Sequence, residues 1–117
     1  MEELTPRSEG YRMPAEWAKH EATWLSWPKN PLTFPAEVIG KVEGIFAQMI
    51  STLSQGELVK VLVEDEAMEA RMLRMSEEAG ADGRRVRPMR IRSSDVWIRD
   101  YGPTFLIHAK KRTRAAV

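Results

Sequence analysis

The run Leu58-Val59-Lys60-Val61-Leu62-Val63 determines the fold, because it is apolar at every position except the lysine. A short, nearly unbroken apolar run is typical of a strand that is buried on both faces. Such strands occur in parallel sheets that are covered by helices. We therefore predict that Leu58–Val63 is a buried strand and that helices flank it along the chain.

The clearest helix precedes this strand and runs from Pro35 to Leu53. Proline suits the first helical turn, and Gly56 supplies a C-terminal stop. The apolar residues recur at spacings of three and four, which places them in one stripe along a helix. The stripe consists of Val38, Ile39, Val42, Ile45, Phe46, Met49, Ile50 and Leu53.

A second predicted helix follows the strand and runs from Asp65 to about Ala79. Asp65 is a good N-cap, because its side chain can accept a hydrogen bond from a free backbone N–H of the first turn. The apolar face contains three methionines, and methionine usually fills gaps in packed cores. We interpret this face as packing rather than as a binding groove. It consists of Met68, Met72, Met75 and Ala79.

Two further strands complete this part of the chain. Glu21–Trp27 alternates in the manner of a strand and ends at Pro28–Pro31, since two prolines in four residues cannot lie inside a sheet. Val86–Ile91 forms the third strand, after the turn signal Asp82-Gly83. The order strand, helix, strand, helix, strand, loop, strand predicts an α/β fold with helices against a partly parallel sheet.

Three of the four tryptophans, Trp17, Trp24 and Trp27, lie near the N-terminus. Indoles bury a large area, so core packing is their usual role. We predict this role for Trp24. Trp27 ends a strand next to a proline-rich turn, and for this residue core packing and pocket lining both stay open.

Composition restricts the class of protein. The 117 residues are 43% hydrophobic and 30% charged, as expected of a soluble globular chain. The net charge of +1 disfavours a nucleic-acid-binding protein. There is no cysteine, so the chain itself forms neither a disulfide nor a thiolate metal site. Residues 1–10 contain no signal-peptide core and no run has membrane-spanning length, which predicts a cytoplasmic protein with no membrane partner.

Basic residues are concentrated in two places. Five arginines fall within Arg84–Arg92, and four further positive charges fall within Lys110–Arg114. One interpretation is a binding module for an acidic partner or a nucleic acid. The other is a solvated strand edge, which charge protects against aggregation. We favour the strand edge, because no aromatic residue alternates with the arginines to stack on bases.

The stretch from Ser93 to Pro103 contains the residues best suited to chemistry. It includes two carboxylates, an arginine, an indole and a phenol, and it ends in a Gly-Pro pair that stops regular structure. A polar loop between two strands is a common place for functional residues. Carboxylates and an aromatic face suit a flat guanidinium cation, through paired hydrogen bonds and cation–π contact.

The segment Trp97-Ile98-Arg99-Asp100-Tyr101-Gly102-Pro103-Thr104-Phe105 resembles the W-x-R-D-x-G-P-T-F signature of agmatine deiminases and bacterial (Porphyromonas-type) peptidylarginine deiminases. Met13–Trp17, His20–Leu25 and Trp27-Pro28 resemble the opening motif of the same family. Two motifs in the right order and at the right separation are more specific than one short pattern. The resemblance extends over residues 11–107 and corresponds to the N-terminal portion of the family only.

This resemblance implies an α/β fold of the pentein type, a five-bladed pseudo-symmetric propeller. Residues 11–117 would form the first blade and the start of the second, in a deiminase domain truncated at its C-terminus. Residues 1–10 would be a flexible lead-in. The sequence also predicts a hairpin tip at His108–Arg114 and a returning strand that starts at Ala115–Val117.

The implied activity is the hydrolysis of agmatine to N-carbamoylputrescine and ammonia, in putrescine biosynthesis, with peptidyl arginine as the alternative substrate. The family uses a cysteine thiolate that forms a covalent intermediate and a histidine that transfers protons, without cofactor or metal. Neither residue has a match in this sequence, so the 117 residues alone are expected to be inactive. The expected partner is a small cationic guanidinium compound, and the resemblance is compatible with a homo-oligomer of the full-length protein.

The resemblance also assigns roles to residues. Asp100 matches the catalytic, guanidinium-binding aspartate, and Trp97 matches the tryptophan that lines the substrate channel. Asp95 is a further candidate for substrate binding, but it can equally cap the loop or pair with Arg99. We interpret Arg99 as structural, since a free guanidinium would repel a cationic substrate. His20 is predicted to order the N-terminal loop through a hydrogen bond.

Overall fold

The computed structural model describes residues 3–117, which form two compact units. The larger unit is the continuous stretch His20–Ile98, and the smaller unit combines the chain up to Lys19 with Arg99–Val117. The predicted flexible lead-in, residues 1–10, lies partly outside the described residues. In chain order the elements are β1 (Tyr11–Arg12), β2 (Ala22–Ser26), α1 (Ala36–Ser54), β3 (Leu58–Val63), α2 (Glu66–Glu78), a 3₁₀ turn (Gly83–Arg85), β4 (Val86–Arg90), α3 (Ile98–Tyr101), β5 (Phe105–His108) and β6 (Arg114–Ala116).

The larger unit contains a parallel three-stranded sheet in the order β2-β3-β4. Strand β3 lies in the middle: Leu58 is opposite Ala22 of β2, and Val59 is opposite Val86 of β4. Parallel neighbours need crossover connections, and α1 and α2 supply them. The predicted α/β class and the predicted order of elements in this unit are therefore confirmed.

The core lies on one face of β3. The side chains of Val59, Val61 and Val63 point to this face and are at most 2% exposed. On the opposite face Leu62 is buried, but Lys60 is only partly covered. The prediction that the strand is buried on both faces was therefore wrong at Lys60. The methylene groups of a lysine can cover apolar surface, but its ammonium group has to stay near water. The buried cluster consists of Trp27, Ala47, Ile50, Val59, Val61, Val63, Met72 and Val86.

The two tryptophans near β2 have different environments. Trp27 is 2% exposed and packs edge-to-face against Phe46, with ring centroids 6.5 Å apart. Core packing is therefore its role, and pocket lining is not. Trp24 lies outside the buried cluster, and the Nζ atom of Lys60 is 5.1 Å from the centre of its ring. The predicted core position of Trp24 was wrong, because β2 turns this side chain to the less covered face of the sheet.

Helix α1 begins and ends one residue later than predicted, and it buries a narrower face than the apolar stripe suggested. Ile50 is completely buried, whereas Ile45 is 57% exposed. The buried positions are spaced by four, three and four residues, as on one side of a helix, and two of them are polar. They are Glu43, Ala47, Ile50 and Ser54. The wide apolar stripe therefore predicted the helix correctly and its buried face only in part.

Helix α2 follows the prediction closely. The Asp65 side chain accepts a hydrogen bond from the backbone N–H of Met68 at 2.8 Å, as an N-cap does. Met72 is fully buried, and Met68 and Met75 pack against the same cluster. Gly80 has a φ of 94°, the left-handed conformation that glycine adopts without strain after a helix. The methionine face is thus packing, as predicted.

The smaller unit is an antiparallel sheet in the order β1-β5-β6. Strand β5 pairs with both neighbours, with His108 opposite Tyr11 and Leu106 opposite Ala115. The predicted hairpin and returning strand are confirmed, with β6 beginning at Arg114, one residue earlier than predicted, and pairing with β5 at each of its three positions. Strand β1 was not predicted, because two residues contain no periodic pattern. Within residues 3–117, no helix is long and apolar enough to cross a lipid bilayer.

Candidate guanidinium-binding site

The signature stretch contains a short helix rather than a continuous loop. Helix α3 consists of Ile98–Tyr101, and the Ile98 N–H donates to the carbonyl of Val96 at 2.8 Å just before it. The boundary between the two units falls after Ile98. Asp95 and Trp97 therefore belong to the larger unit, and Asp100 belongs to the smaller unit.

The carboxylate of Asp95 is surrounded by donors from its own chain. Its Oδ2 accepts from the Thr33 hydroxyl and from the Asn30 amide, the latter at 3.3 Å, and its Oδ1 accepts from the Val96 N–H at 2.8 Å. These donors, the Thr33 hydroxyl first, hold the pKa of Asp95 below its usual value against the opposing effect of desolvation. Asp95 thus caps the loop, which was one of its predicted roles.

Trp97 and Asp100 are both accessible. The Trp97 side chain is 57% exposed, which is high for an indole, and Asp100 lies exposed on α3. An exposed indole face and an exposed carboxylate are the two features that a guanidinium cation requires. Trp97 belongs to the larger unit and Asp100 to the smaller unit. Substrate binding by Asp95, Trp97 and Asp100 stays a prediction.

Arg99 forms an ion pair within the smaller unit. Its Nη1 lies 2.5 Å from Oε1 of Glu16, a residue of the predicted opening motif. Arg99 is therefore paired with Glu16 within its own unit, and pairing of Asp95 with Arg99 stays a prediction. The ion pair joins the two sequence motifs within one unit. This supports the interpretation of Arg99 as a structural residue.

A family model described as Porphyromonas-type peptidyl-arginine deiminase matches residues 12–117. The chain belongs to this family. Among its relatives, the agmatine deiminase of Pseudomonas aeruginosa (strain LESB58) is 37% identical over 111 residues, which is 94% of this chain and 28% of the relative. The agmatine deiminase of Stutzerimonas stutzeri (strain A1501) is 36% identical over 103 residues, which is 88% of this chain and 26% of the relative.

Solved structures agree with this assignment. An X-ray structure provisionally named an agmatine deiminase matches with a TM-score of 0.80 at 28% identity, over 97% of this chain and 30% of its own. The agmatine deiminase of C. jejuni matches with a TM-score of 0.68 over 91% of this chain and 30% of its own, and at 17% identity it shows the fold alone. This chain thus spans less than a third of the length of the deiminases that it matches.

The histidines of this deiminase-family chain have structural contacts. The Nε2 of His20 lies 2.5 Å from Oε2 of Glu57, whose other oxygen accepts from the Thr23 hydroxyl. His20 therefore contacts a carboxylate of the larger unit, and the ordering of the N-terminal loop by His20 stays a prediction. The Nδ1 of His108 accepts two backbone N–H groups of the hairpin tip, from Lys110 at 3.0 Å and Lys111 at 2.9 Å. Among residues 3–117, no three His, Asp or Glu side chains cluster in a way that could hold a metal ion.

Most arginines of the basic strand edge are occupied within the chain. Arg84 pairs with Asp82 at 3.0 Å, and Arg90 pairs with Glu69 at 2.6 Å. The Nη1 of Arg85 donates to the Ser54 carbonyl at 3.2 Å. Guanidinium groups that are used in this way are less available to an acidic partner. The geometry therefore favours the strand-edge interpretation of this cluster.

Sequence reasoning missed a buried carboxylate in α1. Glu43 is 5% exposed and accepts from Nε and Nη2 of Arg71 at 2.7 and 2.9 Å, and from Nε1 of Trp27 at 3.2 Å. The hydrogen bond from Arg71 is the main reason that the pKa of Glu43 is lowered, and burial opposes it. The only sequence signal was a glutamate inside an apolar stripe. This network fixes α1, α2 and the end of β2 to one another.

A groove of about 480 Å³ lies in the smaller unit and involves none of the predicted site residues. Its lining is mainly apolar, and it is formed by the first turn of the chain, β1 and β5. The residues that line it are Thr5, Pro6, Arg7, Tyr11, Arg12, Met13 and Leu106.

Proposed function

We propose that this chain supplies the guanidinium-binding part of a deiminase that hydrolyses agmatine to N-carbamoylputrescine and ammonia. The observation that carries the proposal is the signature Trp97–Phe105, in which the indole of Trp97 and the carboxylate of Asp100 are both exposed. Curated relatives that are 34% to 37% identical over most of this chain are agmatine deiminases. Because the chain spans under a third of those relatives, the activity belongs to the full-length protein.

The chemistry explains why the site needs a carboxylate. A guanidinium is stabilised by delocalisation and is permanently protonated, so water alone is too weak a nucleophile to attack its central carbon. In the proposed mechanism a cysteine thiolate attacks this carbon, ammonia leaves, and water hydrolyses the covalent intermediate. Asp100 binds the guanidinium N–H groups and concentrates the positive charge near the carbon. A histidine transfers the protons.

The nucleophile has to come from outside these residues. The sequence contains no cysteine, so the proposal assigns the thiolate and the proton-transferring histidine to other parts of the full-length protein. The 117 residues alone should therefore release no ammonia. In the same proposal the strand-helix-strand-helix-strand unit is one blade of a five-bladed propeller. The TM-score of 0.80 supports an agmatine deiminase fold for this part of the chain, and the number of blades stays a prediction. Cytoplasmic location stays a prediction.

Peptidyl arginine is the second candidate substrate. The family model that matches residues 12–117 bears the name of peptidyl-arginine deiminases. Agmatine and peptidyl arginine carry the same guanidinium, so Asp100 and Trp97 suit both. We place agmatine first because the curated relatives are agmatine deiminases. A basic binding module is the candidate of another class, and the intrachain partners of Arg84, Arg85 and Arg90 speak against it.

A substrate comparison tests the proposal. Ammonia release by the full-length protein should be fastest with agmatine, slower with an arginine peptide and slowest with free arginine, whose carboxylate adds a charge that agmatine lacks. Turnover of none of the three would refute a deiminase. Preference for the peptide would move the protein to the second candidate. Anisotropy with labelled single-stranded and duplex oligonucleotides at low salt tests the binding module, and we expect no binding.

Asp100→Asn tests the role of the exposed carboxylate. A neutral amide cannot offset the charge of the substrate, so kcat/KM for agmatine should fall by about a hundredfold or more. Asp82→Asn is the matched control, since Asp82 is an aspartate of the larger unit that serves a turn and pairs with Arg84. It should leave kcat/KM unchanged. Near-normal turnover by Asp100→Asn would make Asp100 a structural residue.

A further inference from the structure

The tip of the β5–β6 hairpin, residues 109–112, is closed around one imidazole. The Nδ1 atom of His108 accepts the backbone N–H groups of Lys110 and Lys111 at 3.0 and 2.9 Å. The backbone N–H of His108 itself donates to the Thr113 carbonyl at 3.1 Å, across the hairpin. His108 thus ends the paired part of β5 and also holds the residues that follow it. The closed form of the tip therefore depends on this side-chain acceptor.

The other sides of the imidazole are packed, which fixes its orientation. The ring of Tyr11 meets it edge-on, with ring centroids 5.1 Å apart. Gly10 lies against Nε2 of His108, so closely that a Cβ atom at this position would be 2.8 Å away. The backbone carbonyl of Gly10 accepts the Ala109 N–H at 3.0 Å, at the start of the tip. A rotation that turns Nδ1 away from the tip therefore has to displace β1 or the residue before it.

The two hydrogen bonds to Nδ1 require one protonation state of the ring. A neutral imidazole has one N–H donor and one acceptor nitrogen, whereas an imidazolium has two donors and no acceptor. The closed tip therefore requires a neutral His108 with its proton on Nε2. Protonation replaces the acceptor by a third N–H that points at two other N–H groups. Both hydrogen bonds are then lost, and the tip has to open.

The charges near His108 act in the same direction. The tip contains three consecutive basic residues, Lys110–Arg112, and all of them are exposed. In the part of the chain that the structure describes, none of the ion pairs includes His108. An imidazolium at this position therefore lies close to positive charge and has no carboxylate partner that offsets it.

The strands packed against this imidazole present uncharged side chains to it. Tyr11 comes from β1, and its hydroxyl lies 3.4 Å from that of Thr113, which precedes β6. Arg12 and Arg114 are both paired with Ile107. Since successive side chains of a strand point to opposite faces, these two arginines lie on the other face of the sheet. The basic residues of the tip are therefore the charges that bear on the ring.

We infer that His108 is a pH-sensitive latch of the β5–β6 hairpin: neutral His108 closes the tip, and protonation opens it. Histidine is the side chain that ordinarily changes charge between pH 5 and pH 8, so the latch responds in that range. Such a switch needs a group whose charge biases an element with two arrangements, and residues 109–112 are that element. Opening also loosens the contacts of Ala109 and Tyr11 with their neighbours. The inference is independent of the proposed deiminase activity.

The test uses the full-length protein labelled with ¹⁵N-lysine and ¹⁵N-histidine. The amide signals of Lys110 and Lys111 are assigned by their loss in Lys110→Arg and Lys111→Arg, and the ring signals of His108 by their loss in His108→Asn. Between pH 8 and pH 5 the two amide signals should shift together with the ring signals. Protection of both amides against exchange, relative to an unstructured peptide at the same pH, should fall about tenfold.

Two substitutions produce the closed and the open tip without a titrating group. In His108→Asn the side-chain oxygen replaces Nδ1 as acceptor, so the tip should stay closed from pH 8 to pH 5. In His108→Phe an aromatic ring remains beside Tyr11 but the acceptor is lost, so protection should be about tenfold lower at every pH. The matched control is His20→Asn, since His20 lies in the larger unit. It should keep the wild-type response.

Three results overturn the inference. They are tip signals that stay constant while His108 titrates, a pH response of His108→Asn as large as that of wild type, and a His108 ring that keeps its charge state from pH 8 to pH 5. If His108→Phe does not fold, the wild type and His108→Asn decide the question by themselves.

Discussion

The Arg71–Glu43 ion pair of the larger unit and the Arg99–Glu16 ion pair of the smaller unit differ in burial. In the larger unit Arg71 contacts Glu43, whose side chain is 7% exposed. In the smaller unit Arg99 contacts Glu16, whose side chain is 67% exposed. The contact distances are short in both, at 2.7 and 2.5 Å. The two pairs are therefore similar in contact distance and differ in how far their surroundings exclude water.

The surroundings decide what each pair contributes to stability. Glu43 lies among apolar side chains and also accepts the buried indole N–H of Trp27, so its removal leaves a donor without an acceptor. When the exposed side chains of Glu16 and Arg99 separate, water solvates both charges at little cost. Exposed ion pairs therefore contribute only about 0–1 kcal/mol to stability. The comparison teaches that the same pair of residue types contributes strongly to the free energy of unfolding when it is buried and almost nothing when it is exposed.

The largest expected effect is that of Glu43→Ala. Loss of the two hydrogen bonds from Arg71, and of the acceptor for Trp27, should lower the free energy of unfolding by about 3 kcal/mol. Urea denaturation followed by tryptophan emission measures it. Glu77→Ala, at an exposed position of α2, is the control and should change stability by less than about 0.5 kcal/mol. Equal effects of the two variants would break the comparison.

A smaller effect, on pH dependence, sharpens the comparison. Arg71 lowers the folded-state pKa of Glu43, so the stabilisation is complete above the unfolded pKa of about 4.3 and is lost as pH falls through the folded pKa. Glu43→Gln cannot titrate. Its stability deficit of about 1 kcal/mol at pH 7 should shrink between pH 5 and pH 3, estimated from the ordinary strength of charged hydrogen bonds. A deficit that is constant with pH would show that the charge of Glu43 contributes nothing.

The smallest expected effect is that of Glu16→Ala. The exposed Arg99–Glu16 pair should contribute less than about 0.5 kcal/mol, and high salt should remove even that. Melting of wild type and variant in low and high salt gives the answer. A loss above about 1 kcal/mol would place this pair in the same class as Glu43–Arg71.

The helices and strands of the larger unit were predictable because their signals are local. Leu58–Val63 is apolar throughout its length except for Lys60, and Asp65 can cap a helix whatever the rest of the chain does. Helix α1 shows what local sequence signals do not predict, namely which of its apolar residues are buried. Its periodicity predicted the helix, but the exposure of Ile45 depends on which neighbours the rest of the chain supplies.

The features that the sequence did not predict depend on partners far away in the chain. Strand β1 forms because β5 pairs with it, and a sequence of two residues contains no pattern that predicts this pairing. Glu43 is recognisable as a buried ion only together with Arg71 on another helix. The role of Asp95 was left open for the same reason, since its donors Thr33 and Asn30 precede two helices and two strands.

The way the chain divides between the units has a consequence for the order of folding. His20–Ile98 is one continuous segment, inserted between the two segments of the smaller unit. Pairing of Tyr11 with His108 therefore requires closing a loop that contains the whole larger unit, and this closure is entropically costly while that loop is unfolded. Prior folding of the insert shortens the effective loop. On the ribosome the larger unit can form as soon as β4 has emerged, whereas the antiparallel sheet has to wait for β5.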